Sequence, residues 1–174
     1  MKIYPGALAV ARDDAKTASD QIIYERGDLF IFADNIAFRV KRDPDTVVDG
    51  DDGPRYRVSL NSEVEHIGGI WDDDFLGGKN ATMLVTDGEV AKTTVLCNAG
   101  PIDVWNGRLY FVAGYGAGVG SMDGQVFAID LDTGIVEAVL GKGVTVENYS
   151  GDGLSARTDG ALMYPTGLVI TDDG

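Results

Sequence analysis

The stretch that decides the fold lies between residues 102 and 140 and begins with IDVWNGRLYFVA at residues 102–113. Its two apolar-rich halves flank the pair Asn106-Gly107, and Asn-Gly in this position is a strong signal for a tight β-hairpin. Two further runs follow, QVFAID at 125–130 and IVEAVL at 135–140, with Asp-Thr-Gly between them. We therefore predict four consecutive antiparallel strands within about 40 residues, which is the size of one β-propeller blade.

Working outward, the same strand-and-turn pattern extends toward the N-terminus. Residues 28–33 and 36–41 are predicted to form a hairpin around Asp34-Asn35, and from Phe38 the second strand alternates apolar and polar residues as a half-buried strand does. We also predict a strand at 55–60 and a hairpin of residues 82–86 and 89–97 around Asp87-Gly88. Residues 5–21 are predicted to be either a short helix or an extended arm.

An internal repeat supports a blade architecture. Residues 100–107 correspond to residues 164–174, since in both a proline leads into an apolar strand that ends at a polar-Gly turn. A weaker correspondence relates residues 27–34 to residues 107–114. Self-similarity of this kind is typical of repeat folds in which each unit is one small sheet.

Three short segments resemble a known family. They are VLGKG at 139–143, YSGDGLSA at 149–156 and ALMYPTGL at 161–168, in that order. Together they are similar to the linker of NHL-repeat β-propellers, most strongly over residues 100–174 and weakly over 1–99. The resemblance implies an all-β, partial β-propeller. Its expected parts are an N-terminal arm at 1–21, a β-rich module of blade-like hairpins at 22–99, and a blade with the start of the next at 100–174.

The length of the chain determines whether it can form a closed ring of propeller blades. At about 40 residues per blade, 174 residues supply three or four blades, whereas propellers usually have four to eight. We expect that the chain is truncated after Gly174 or that partner chains complete its β-structure. An atypical β-sandwich with blade-like hairpins is the third alternative.

Composition excludes several functions. The chain has 14 basic and 28 acidic residues, a formal charge of −14, and such a surface disfavours binding to nucleic acid and to anionic membranes. One cysteine and one histidine cannot form a Cys/His zinc cluster. The apolar stretch at 7–11 is too short for the core of a signal peptide. The compartment is not determined by these features, although a virion or a surface-associated location is favoured.

The acidic segment at 43–52 is the candidate metal site. Carboxylates at alternating positions are typical of calcium loops, and the candidate ligands are Asp43, Asp45, Asp49 and Asp51. However, the segment lacks the terminal glutamate of a complete calcium motif, and aspartates in turns also bond their own backbone. A solvated loop without metal is the favoured interpretation, and calcium is the one cofactor that we consider.

The glycine-rich segment at 114–120 is the candidate contact loop. It contains Gly-x-Gly-x-Gly, but no helix is predicted after it to bind a dinucleotide pyrophosphate. Loops on one face of a propeller bind partners, so the candidate partner-binding residues are Tyr115, Gly116, Gly118 and Tyr149. The lone His66 lacks a recognisable nucleophile motif, and we expect it to be structural rather than a general base.

These observations predict a non-enzymatic structural or interaction protein whose loops contact a protein or a surface glycan. One version is the N-terminal part of a phage tail or other virion appendage protein. The alternatives are a propeller enzyme, namely a metal-dependent hydrolase or lyase, and a calcium-stabilised extracellular scaffold. The expected partners are another protein, further copies of this chain or a glycan.

Overall fold

A computed structural model describes residues 5–33, 35–43, 48–50, 53–55, 59, 61–70, 85, 87–96, 100–113, 123–141, 162–163 and 167–171. In these residues the regular structure is antiparallel β-sheet with one turn of 3₁₀-helix at Ala91–Thr93, so the predicted all-β class is confirmed. The strands are β1 (Pro5–Val10), β2 (Ala15–Lys16), β3 (Ile22–Tyr24), β4 (Leu29–Ala33), β5 (Ile36–Val40), β6 (Val48–Gly50), β7 (Gly53–Arg55), β8 (Val64–Gly68), β9 (Ile102–Trp105), β10 (Arg108–Ala113), β11 (Asp123–Asp130), β12 (Val136–Leu140) and β13 (Leu162–Met163).

The first sheet is four-stranded, in the order β1-β4-β5-β8. Each pair is antiparallel, with Ala9 opposite Phe30 and Phe30 opposite Arg39. The predicted hairpin at 28–41 is confirmed as β4 and β5. Between β1 and β4 the chain forms a small antiparallel ribbon of β2 and β3.

The second sheet contains β9, β10, β11 and β12 as consecutive antiparallel neighbours, and β13 pairs with the start of β11. This confirms the four strands predicted between residues 102 and 140. The turn at Asn106-Gly107 has φ angles of 48° and 76°, the left-handed conformation that such a tight hairpin turn requires.

The core lies between the two sheets. Phe32 of the first sheet contacts Phe111 of the second, with ring centroids 5.6 Å apart, and Phe111 stacks on Phe127 at 5.8 Å. These three rings are at most 2% exposed. Burying a large aromatic side chain contributes on the order of 2 kcal/mol, so this contact joins the sheets into one core.

Three local predictions differ from the structure. The helix alternative for residues 5–21 is wrong, because residues 5–10 form β1 and pair with β4. The predicted strand at 89–97 is wrong over its described residues, which form an isolated bridge from Val90 to Ile135 and the 3₁₀ turn. Strand β8 was not predicted, since its residues VEHIG lack a strong strand pattern.

The predicted strand at 55–60 overlaps the structure only at its first residue. β7 covers Gly53–Arg55 and forms a small ribbon with β6, while residues 56–58 and 60 lie outside the described residues. As for membranes, the described part of the chain contains no helix long and apolar enough to span one.

Candidate functional site

A polar junction joins the β2-β3 ribbon to the second sheet. The Tyr24 hydroxyl is the centre of this junction: it donates to Asp13 Oδ1 at 3.0 Å and accepts the Gly107 N–H at 3.2 Å. Burial raises the pKa of Tyr24 far above its ordinary value, so the phenol stays protonated and keeps both bonds. The ribbon is thereby fixed over the Asn106-Gly107 turn, where Ile23 also packs.

A second junction connects three segments that are far apart in sequence. Arg12, two residues beyond β1, donates from Nη2 to Asp103 Oδ2 in β9 at 2.9 Å and to the Ile170 carbonyl at 2.8 Å. The same Asp103 oxygen accepts the Ile170 N–H at 2.8 Å. Residues 167–171, which the sequence repeat relates to β9, are therefore held directly beside β9. Since the Arg12 side chain is 48% exposed, its ion pair is part of the molecular surface.

A buried ion pair lies at the end of the first sheet. Asp28 is fully buried, and its carboxylate accepts hydrogen bonds from Arg39 Nε at 2.8 Å and from the backbone N–H groups of Glu25 and Arg42 at 3.0 and 2.8 Å. Arg39 also bonds the Ile23 carbonyl. These hydrogen bonds to the Asp28 carboxylate fix the turns around it.

Position 39 corrects the interpretation of β5. The alternation from Phe38 predicts a half-buried strand, and the polar residues of such a strand ordinarily face the solvent. In the structure Arg39 is only 7% exposed and shares the inner face with Phe30, whereas Phe38 is half-buried on the opposite face. The reason is Asp28, whose carboxylate supplies Arg39 with a buried partner.

The candidate metal ligands are not assembled within the described residues. Asp43 accepts a hydrogen bond from Ser59 Oγ at 2.7 Å, and Asp49 lies in β6, opposite Pro54. Asp45 and Asp51 fall outside the described residues. In the part of the chain that the structure describes, no three or more acidic, histidine or cysteine residues are grouped as for a metal ion. A calcium site therefore stays a prediction.

The candidate contact loop lies outside the described residues. Tyr115, Gly116 and Gly118 fall in the connection between β10 and β11, and Tyr149 lies in the segment after β12. The structure does place the ends of the first connection, since Ala113 is paired with Gln125 in the second sheet. The role of these four residues in binding stays a prediction.

His66 is held in a structural arrangement. It lies in β8, opposite Phe38, with the two rings 6.1 Å apart. Its Nε2 lies 3.0 Å from the Gly68 carbonyl and 2.8 Å from the Gly69 carbonyl. Because both partners are acceptors, Nε2 carries a proton and donates. These bonds support the expectation that His66 is structural.

The polar residues that the structure brings together are ones that sequence reasoning missed: Arg12, Asp13, Tyr24, Asp28, Arg39 and Asp103. The sequence carries one signal, at Asp103. This aspartate interrupts the apolar strand that follows Pro101, whereas the corresponding segment at 168–170 is entirely apolar. The other residues resemble ordinary surface or core positions in sequence, and only the three-dimensional pairing distinguishes them.

Comparisons of the chain with protein-family models, with curated proteins and with solved structures found no match.

Proposed function

We propose that this protein is a structural interaction module, a scaffold of blade-like β-sheets that presents loops to a protein or glycan partner. The observation that carries the proposal is the repeated architecture: each of the two antiparallel sheets contains a row of four neighbouring strands, β1-β4-β5-β8 and β9-β10-β11-β12. The two sheets share one core, and β1 and β9 lie next to each other. Such repetition of small sheets builds a rigid frame from which connecting loops project.

The polar junctions support a scaffold role. Tyr24, Arg12 and Asp103 each bond groups from segments more than 60 residues away, which links the first sheet and the repeat segment at 167–171 to the second sheet. We infer that the junctions hold the frame together and that binding belongs to the loops.

The repeat segment favours a propeller-like arrangement. Residues 167–171 follow the second sheet and lie beside β9, and in the repeat they correspond to β9 itself. This is the placement expected of a first strand in a third blade. A virion or surface appendage, with a phage tail as one example, is the setting that we propose for this scaffold.

The test measures binding and stability together. The wild-type chain and the double variant Tyr115→Ala/Tyr149→Ala are applied to a panel of immobilised bacterial surface polysaccharides, and their melting temperatures are compared. We expect the wild type to bind at least one polysaccharide and the variant to bind at least tenfold more weakly at an unchanged melting temperature.

Equal binding by both forms would show that these loop residues are not the contact. Release of shortened sugar chains by the wild type would instead establish the enzyme alternative. If the wild type binds none of the polysaccharides, the glycan version of the proposal fails and the protein-partner version is tested next by chemical cross-linking.

A further inference from the structure

The turn between β9 and β10 contains the only Asn-Gly pair in the sequence. Asn106 is exposed to solvent, whereas Gly107 is buried. In an Asn-Gly pair the backbone nitrogen of the glycine can attack the side-chain amide of the asparagine, because glycine has no Cβ to hinder the approach. The turn thus combines a chemically reactive pair with an asparagine side chain that solvent can reach.

The reaction open to this pair is a deamidation, with water as the co-reactant and hydroxide as the base. Hydroxide removes the proton of the Gly107 N–H, and the nitrogen attacks Cγ of Asn106. The bond from Cγ to the side-chain nitrogen breaks, and ammonia leaves with a proton taken from water, which regenerates the hydroxide. Water then opens the cyclic imide at either carbonyl carbon, and the product is aspartate or isoaspartate. No group is oxidised or reduced.

The attacking nitrogen is covered by the β2-β3 ribbon. Its N–H donates to the Tyr24 hydroxyl at 3.2 Å, and this hydroxyl is oriented by Asp13, which accepts a hydrogen bond from it at 3.0 Å. A Cβ at position 107 would lie 3.4 Å from Cδ1 of Ile23 and 4.0 Å from Cβ of Ala15. Hydroxide therefore reaches the N–H only when the ribbon separates from the turn, and loss of the N–H proton also breaks the bond to Tyr24.

The charge of Asp13 adds to this protection. Its second carboxylate oxygen, Oδ2, accepts the backbone N–H of Asn106 at 3.4 Å, so the carboxylate lies directly beside the turn. A negative charge in this position disfavours the approach of hydroxide. It also disfavours the anionic nitrogen that has to form on Gly107.

The conformation of the turn opposes ring closure as well. Asn106 has a φ of 48°, and the pairing of Trp105 with Arg108 holds both sides of the turn. Closing the imide requires rotation about the Cα–C bond of Asn106, which brings the Gly107 nitrogen toward Cγ. The same rotation turns the Gly107 N–H away from Tyr24. The hydrogen bond and the reaction therefore exclude each other.

We propose that Asn106 is a site of non-enzymatic deamidation and that the Tyr24 hydroxyl sets its rate by holding the Gly107 nitrogen in the folded protein. The bond between Gly107 and Tyr24 has to open before the reaction begins, as in other local openings of a native fold. Deamidation adds a negative charge next to Asp13, and the isoaspartate product lengthens the backbone at the turn. This inference goes beyond the loop binding proposed above and is independent of it.

The experiment follows deamidation by peptide mapping and mass spectrometry while the full chain is incubated at mildly alkaline pH. Since the folded protein reacts only through its opened form, the wild type is expected to deamidate at Asn106 at least about tenfold more slowly than the same chain unfolded in guanidinium chloride. Tyr24→Phe removes the acceptor of the Gly107 N–H and is expected to raise the rate in the folded protein at least about fivefold.

The matched control is Tyr110→Phe. Tyr110 lies on β10 close to the turn and is half-buried, but the Gly107 N–H bonds Tyr24 instead. This variant is expected to deamidate at Asn106 like the wild type. Asn61, which is exposed and lies outside the junction, reports general loosening of the fold, and its rate is expected to be the same in the wild type and in both variants.

Circular dichroism checks that the variants are folded. Asp13→Ala leaves the Tyr24 hydroxyl without its orienting partner; it is also expected to raise the rate at Asn106, and it replaces Tyr24→Phe if that variant does not fold. A folded wild type that reacts at Asn106 as fast as the unfolded chain overturns the proposal, and so does an unfolded chain in which Asn106 stays intact. The proposal also fails if Tyr24→Phe reacts no faster than Tyr110→Phe, or if it accelerates Asn61 by the same factor.

Discussion

Replacement of Arg39 by methionine is expected to destabilise the protein strongly. Methionine has a similar length and preserves apolar packing, but it removes the donors to Asp28 and to the Ile23 carbonyl. Asp28 is then fully buried with an uncompensated charge, since only the backbone donors of Glu25 and Arg42 are left. Breaking a buried ion pair from one side costs about 3–5 kcal/mol.

Urea denaturation followed by circular dichroism measures this loss. With a denaturant slope of about 2 kcal/mol per molar urea, a loss of about 4 kcal/mol lowers the unfolding midpoint by about 2 M. Arg39→Lys retains a charge but only one donor group, and we expect an intermediate midpoint. The slope should be unchanged in both variants, because the native fold and the unfolded chain are the same.

The matched control is Arg108→Met. Arg108 is also a strand residue in an ion pair, with Nη1 2.8 Å from Glu137 Oε2, but its side chain is 37% exposed and that of Glu137 is 42% exposed. An exposed pair contributes about 0–1 kcal/mol, so its midpoint should move by no more than about 0.5 M. If Arg39→Met moves the midpoint no further than Arg108→Met does, the argument from burial is refuted.

Three further predictions use the same denaturation assay. Tyr24→Phe leaves a buried backbone N–H without its acceptor and should cost about 1–3 kcal/mol; no measurable change would mean that the hydroxyl does not secure the ribbon. Gly69→Ala should destabilise far more than Gly88→Ala, because both have positive φ but only at position 69 would a Cβ lie within 3 Å of the backbone at Asn35; equal losses would contradict this. Partial burial opposes ionisation of Asp130, but hydrogen bonds from the turn outweigh it and lower its pKa. Its carboxylate therefore stabilises the fold above about pH 4, and the deficit of Asp130→Ala should shrink as the pH falls below that value rather than stay constant.

The parts of the fold that sequence could predict are those encoded locally. The second sheet follows from Asn106-Gly107 and from the turn before Ile135, because two or three residues with the right φ preferences fix which strands are neighbours. In that turn Asp130 accepts from the Thr133 backbone and hydroxyl, an arrangement that aspartate and threonine form without tertiary help.

The parts that sequence could not predict depend on distant partners. Strand β8 is added to the first sheet by pairing with β5, and its own residues have no strong strand preference. The bond from Arg12 to Asp103 spans 91 residues, and that from Gly107 to Tyr24 spans 83. Apart from Asp103, none of these residues is distinguished by its neighbours in sequence, so the junctions could be identified only from the structure.

The buried ion pair of Arg39 with Asp28 and the position of Phe38 on the opposite face have a common explanation in strand register. A slip of one residue in β5 would turn Phe38 inward and Arg39 outward, which is the orientation expected for a sheet with one solvated face. Moving Arg39 and Asp28 out of water costs free energy. The observed register is therefore preferred to the slipped one only when the two side chains stay paired. The pair therefore fixes the register of β5, and it leaves Phe38 half-buried on the face opposite to Arg39.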